Sequence, residues 1–206
     1  MRTSRTRTTR ALGLTGAVAA AALLLAACGN DDTTSGMNHG GTPSATTTAT
    51  AAPSASGTFN DADVMFAQMM IPHHEQALEM AELADGRAED ADVKKIVAAV
   101  EKAQDPEIQK MKAWLRGWGK PESAGMHHGM AGMMSEQDMK DLAAATGKDF
   151  DRMFAELMIA HHEGAVEMAK TEQKDGGNTE AKALAGEVVT AQTAEITELR
   201  KILDRL

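Results

Sequence analysis

One cysteine, Cys28, is all the thiol that the 206 residues contain. A chain so poor in sulfhydryl has no disulfide framework or zinc knot, and no spare sulfur nucleophile if Cys28 is itself modified. Large aromatics are scarce too, with four Phe and two Trp, so methionine, present 15 times, becomes an important core filler. No segment alternates apolar and polar residues with the period of a strand. A Gly-rich phosphate loop, a Ser/His/Asp set and the Glu-x-x-His spacing of di-iron helices are all missing. Charge is acidic, −9 overall and −13 without residues 1–27, which remove four arginines and no acids. That balance argues against nucleic acid as a partner.

The chain opens with the basic "MRTSRTRTTR", followed by the apolar "ALGLTGAVAAAALLLAAC". This pattern predicts an export signal over 1–27, with small residues before Cys28 resembling a bacterial lipobox and Cys28 as the lipidated residue that anchors the protein to the extracytoplasmic face of a membrane. An uncleaved anchor is the alternative, because the run approaches the roughly 18 apolar residues that span a bilayer. Residues 28–58 hold almost no large apolar side chain except Met37 and read as a disordered tether. The remaining 148 residues, 59–206, suit one domain.

That domain repeats itself. "DVMFAQMMIPHHEQALEMA" (63–81) matches "DRMFAELMIAHHEGAVEMA" (151–169) at 13 of 19 positions without a gap, an offset of 88. At the same offset "AQDPEIQKMKAWL" (103–115) falls on "AQTAEITELRKIL" (191–203). Both segments carry apolar residues at helical steps: Phe66, Met70, His73, Ala77 and Met80 in the first, and Val97, Val100, Gln104, Ile108, Met111, Leu115 and Trp118 in the second. The domain is therefore expected to be all-α, a four-helix bundle of two helical hairpins, 59–118 and 148–206. Between them, residues 119–147 form a Met/His-rich loop and a short helix that Ser135 and Asp138 open as a capping box. Pro72, replaced by Ala160 in the second copy, predicts a local bend.

A duplicated M-I-x-H-H-x-x-A-x-x-M-A phrase, each copy followed by Q-x-x-E-I, resembles the bacterial family known as domain of unknown function 305. The resemblance covers essentially all of 59–206. It implies a ferritin-like bundle, exported or lipid-anchored, with relatives associated with copper binding and tolerance.

Successive helical residues lie about 100° apart, so His73 and His74 point differently and do not chelate one ion as an i, i+4 pair would. His73 and His161 are expected to face inward, with His74 and His162 flanking. Met70 and Met158 sit three and four residues before these pairs, whereas Met80 and Met168 lie roughly 10 Å further along the helix and could join only from across the bundle. Glu75 and Glu163 project to the solvent side. Gln104 and Gln192 interrupt apolar stripes, and the inward histidines are their natural partners, with Glu107 and Glu195 as groups that fix ring orientation. Histidines hydrogen-bonded as packing residues are the plain alternative.

The segment "GMHHGMAGMM" (125–134) has no helical period, so Met126, His127, His128, Met130, Met133 and Met134 read as loop ligands rather than core. Thioether and imidazole without thiolate suit copper, Met favouring Cu(I), and silver would take the same set. A linker with coincidental Met/His content is the alternative. Together these features predict an extracytoplasmic copper-binding lipoprotein for sequestration or transfer, with a metal-delivery protein as a possible partner. The rivals are a structural or signalling bundle docking on a membrane partner and a metal-dependent oxidoreductase.

Overall fold

Asn60 starts the first helix. Its side chain accepts the N–H of Ala62 and of Asp63, and Asp63 accepts the Asn60 N–H in return, a reciprocal cap that satisfies donors otherwise left open at a helix start. The computed structural model describes residues 57–123 and 130–206, which form five helices and no strand. These are α1 (Asp61–Glu82), α2 (Ala91–Gly117), α3 (Glu136–Ala144), α4 (Gly147–Asp175) and α5 (Thr179–Arg205). Asp90 and Asn178, 88 residues apart, each cap their helix, α2 and α5, by accepting two N–H groups of its first turn, and Ser135 with Asp138 forms the expected box at α3. Gly147 opens α4 rather than closing α3. Its φ of 62° lets its N–H reach the Arg87 carbonyl at 2.8 Å, a conformation that favours glycine. α1 runs unbroken through Pro72.

The two hairpins, α1–α2 and α4–α5, pack α1 against α4 and α2 against α5, giving the all-α four-helix bundle with α3 as an added short helix. Two apolar clusters fill it. One joins Phe66, Met70 and Ile71 of α1 to Ala165 and Ala169 of α4, with Ile108, Met111, Trp114, Leu184 and Val188. The other joins Ala77 and Met80 of α1 to Phe150, Phe154 and Met158 of α4, with Val93, Val100, Leu199 and Leu142 of α3. The start of α1 thus shares a cluster with the end of α4, so these helices run antiparallel.

The hairpins are pinned to each other by two buried carboxylates at equivalent positions. Asp63 accepts the N–H of Gly177 and Asn178 at the start of α5, and Asp151 accepts those of Glu89 and Asp90 at the start of α2. Burial alone would raise the Asp63 pKa, but the N–H bonds from Asn60 and Asn178, a side-chain hydrogen bond from Glu172 and the N–H of Gly177 hold it below the usual carboxylate value.

No helix of the described residues is long and apolar enough to cross a membrane. The expected signal segment, Cys28 and the tether up to residue 56 lie outside the described residues, as do Met126, His127 and His128.

Candidate metal centre

Among the buried residues of α1 the first apolar cluster ends at Ile71 and the second begins at Ala77; along α4 the corresponding limits are Met158 and Ala165. The four histidines occupy this gap on both helices, and Gln104 and Gln192 occupy the matching gap on α2 and α5. The result is a polar layer enclosed between two apolar ones. His73, His74, His161 and His162 are all fully buried, and the glutamines nearly so. His74 and His162, expected to flank the core, are as deep as the inward pair.

The partners differ from the expected ones. His73 lies against His161 with ring centroids 3.8 Å apart and planes tilted by 38°, because equivalent side chains from two related antiparallel helices meet at the pseudo-twofold axis. His73 Nε2 lies 3.3 Å from the Ala131 carbonyl and donates to it. Gln104 and Gln192 do not take up the inward histidines: each keeps a buried Oε1 with no partner. Glu107 and Glu195 instead meet the other histidines, His74 Nε2 to Glu107 and His162 Nε2 to Glu195, both at 2.7 Å. A carboxylate accepting from Nε2 fixes that nitrogen as N–H and leaves Nδ1 as the lone pair.

The Nδ1 atoms of all four histidines are buried without a hydrogen-bond partner, and so is His161 Nε2. With the two glutamine oxygens, seven of the ten such atoms among the described residues belong to this one layer. An unpaired buried polar atom costs about 1–3 kcal/mol, so the layer is expensive as a packing device alone. Burial, followed by the proximity of His74 and His162, lowers the His73 pKa to about 3. Burial and the neighbouring His73 hold His161 well below its ordinary value. Both rings are neutral near pH 7, so their lone pairs are free of protons.

The methionines divide. Met70 and Met158 are completely buried beside the layer, in opposite clusters, and Met80 is completely buried in the second. Met168, its sequence counterpart, is only half-buried and faces a groove with Met65, Met69 and Met130. Glu75 and Glu163 are exposed and paired with Lys112 and Arg200, consistent with their solvent-side placement. No group of three His, Cys, Asp or Glu among the described residues converges as a ready metal cluster, so the four protein ligands of a structural zinc site are not assembled from those types.

The end of the Met/His loop is not free. Gln76 donates to the Met134 carbonyl and accepts its N–H, and Met134 packs on the second cluster, where a loop ligand was expected. Met130 and Met133 are half-buried. Residues 131–132 press on α4 at Gly164, where a Cβ would stand 2.1 Å from the Ala131 carbonyl oxygen; only glycine admits that approach. Gly164 and Gln76 are equivalent positions of the repeat, and their difference is the signal that marks where the strap crosses. The shared aspartate that begins "DVMF" and "DRMF" was likewise a signal for the Asp63 and Asp151 pins.

Residues 63–203 match the family model described as Domain of unknown function (DUF305). Among solved structures, a proposed secreted DUF305 protein from Streptomyces coelicolor is 32% identical with a TM-score of 0.66, over 69% of this chain and 92% of that one. A DUF305 fragment from Deinococcus radiodurans gives 31% and 0.66, over 71% and 98%. CopM in its Cu(II)-bound form gives 35% and 0.62, over 69% and 95%; CopM has also been solved with Cu(I) and with Ag. A search of curated proteins returned no match. With the family model spanning most of the helical domain and family structures superposing on it, the chain belongs to the DUF305 family.

Proposed function

We propose that this protein binds a soft monovalent cation, Cu(I) or silver, in the polar layer between the two apolar clusters, and that it sequesters or passes on that ion rather than catalysing a reaction. One observation carries the reading: four buried imidazoles present Nδ1 atoms that nothing in the described residues satisfies. Two of these rings are held by Glu107 and Glu195 with Nδ1 as the free lone pair. Neutral imidazole, with the thioethers of Met70 and Met158 close by on the same helices, is a donor set suited to a soft ion. A low-coordinate ion also asks for fewer converging ligands than zinc. The ions named for CopM, at 31–35% identity, support the same class.

On this reading residues 1–27 are an export signal, lipid on Cys28 anchors the protein outside the cytoplasm, and residues 28–58 tether the bundle. The relative described as a proposed secreted protein supports an extracytoplasmic setting. Met126, His127 and His128, with Met130 and Met133, then serve as capture ligands before transfer inward. The acidic domain raises the local concentration of cations.

The second reading, a bundle whose histidines are packing residues, draws on the Glu107 and Glu195 bonds and on the missing three-residue cluster. Anaerobic titration with Cu(I) against a competing chelator separates the two. The metal reading expects at least one tightly bound equivalent that disappears in His73→Leu/His161→Leu; binding unaffected by that change contradicts it.

A further inference from the structure

The internal symmetry exposes an unequal pair of grooves. α3 covers the groove between the end of α1 and the start of α4: Leu142 is fully buried there, Met139 packs beside it against the cluster of Met80, Ala84, Leu83, Met153 and Leu157, and Arg87 Nε donates to the Ala143 carbonyl. The equivalent groove, between the start of α1 and the end of α4, carries no such helix among the described residues. It is a cleft of about 470 Å³ lined by Met65, Phe66, Met69, Met130, Met168 and Glu172, among others.

The offset of 88 shows what differs. Met65 and Met168 have methionine counterparts, Met153 and Met80, on the covered side. Met69, however, stands where the covered groove has Leu157, and Glu172 stands where it has Ala84. Met130 is added from the linker. Met65 and Met69 are an i, i+4 pair on α1, and Met168 and Glu172 an i, i+4 pair on α4, so each pair presents one face of its helix to the cleft. Met65 is 58% exposed, an unfavourable place for a large apolar side chain with no partner.

Glu172 is the independent sign of an occupant. It is 1% exposed, and no N–H or ammonium donor reaches either carboxyl oxygen; its carboxyl is left sharing a proton with that of Asp63. Its neighbour Asp63 is already committed to the backbone N–H groups of Asn60, Gly177 and Asn178. Asp61, Glu167 and Asp175 line the same cleft, and no lysine or arginine does. Two carboxyls buried side by side next to four thioethers, with only a proton between them, fit a cation that replaces that proton better than an apolar partner.

We propose that this cleft is a second cation site, separate from the histidine layer, in which the thioethers of Met65, Met69, Met130 and Met168 hold a soft monovalent ion and Glu172, releasing its proton to solvent as the ion enters, supplies the compensating negative charge. Soft sulfur donors select such an ion over Zn²⁺ or Mg²⁺. The site needs no histidine, so it stands or falls apart from the centre described above.

The test uses the full chain with methyl-¹³C methionine, titrated with Ag(I). The methyl signals of Met65, Met69, Met130 and Met168 are expected to move together, and still to do so in His73→Leu/His161→Leu. Met65→Leu/Met69→Leu, which introduces at one position the leucine found in the other copy, is expected to remove one equivalent of Ag(I) while keeping the histidine-layer equivalent. Glu172→Gln should weaken the cleft by about tenfold or more through loss of a charge next to the ion. Four unmoved methyl signals at Ag(I) saturation, or full stoichiometry in Met65→Leu/Met69→Leu, would overturn the proposal. A loss confined to the histidine variant overturns it too and leaves the layer as the only bundle site; a loss confined to the methionine variant supports the cleft and rejects the layer.

Discussion

Replacing Glu107 with alanine, and Glu195 likewise, probes the proposed centre without touching a proposed ligand. Each glutamate holds the Nε2 of a fully buried histidine at 2.7 Å while itself remaining 19% and 17% exposed. The side chain therefore reaches the layer from its rim, and truncation opens only a small void. What is lost is orientation: the ring is then free to take the other tautomer, with the proton on Nδ1 and its lone pair turned away from the layer. Removing such an outer hydrogen bond from a metal-ligating histidine typically costs 10–100-fold in affinity, or about 1.4–2.7 kcal/mol. Glu107→Gln keeps an acceptor oxygen and should lose less than Glu107→Ala. The assay is anaerobic Cu(I) competition against a chromophoric chelator, in a background carrying Met126→Ser, His127→Ser and His128→Ser so that loop ligands do not mask the bundle. Unchanged affinity in the folded Glu107→Ala/Glu195→Ala variant would refute the role given to these carboxylates.

Four further outcomes follow from the geometry. The metal-free protein should lose stability as pH falls from about 6.5 toward 3, because the unfolded chain binds protons that buried His73 and His161 refuse; the slope approaches about 1.4 kcal/mol per pH unit for each ring, and urea midpoints in His73→Leu should show a shallower fall. Glu172 has the opposite sign: burial and Asp63 push it up to about 8, so stability is lost as pH rises from about 4.5 to 8, and Glu172→Gln should flatten that limb in a thermal-melt series. Asp151→Ala strips the acceptor from two backbone N–H groups at the start of α2 and should cost about 2–4 kcal/mol by urea unfolding, with Asp63→Ala similar at the start of α5. Gly164→Ala forces the strap at Ala131 away from α4 and should cost about 1–3 kcal/mol while raising exchange of the backbone amides around residues 131–134.

The helices were legible because the repeat doubles every signal: one hairpin's pattern confirms the other's, and a histidine on an apolar stripe at two equivalent positions points to a shared interior. Which group each histidine meets was not. Gln104 and Glu107 lie one turn apart and about 60° around α2, a difference smaller than the uncertainty in how far a helix is rotated about its axis in the bundle. The meeting of His73 with His161 depends on where the twofold axis falls, which periodicity alone does not give. Met134 was misread because a stretch without helical period looks free, whereas its hold comes from Gln76 and from the room left by Gly164. Glu172 was overlooked because an acid near a helix end normally signals solvent.

Proton and metal occupancy of individual ring nitrogens can be read directly by long-range ¹H–¹⁵N correlation on ¹⁵N-histidine protein, before and after one equivalent of Ag(I). The expected metal-free spectrum has a proton on Nε2 of His74 and His162, and on silver addition their Nδ1 signals, together with ring nitrogens of His73 and His161, move while Nε2 of His74 and His162 stays protonated. Silver bound by the protein with all four of these histidines unchanged would contradict the assignment of the polar layer as the metal centre.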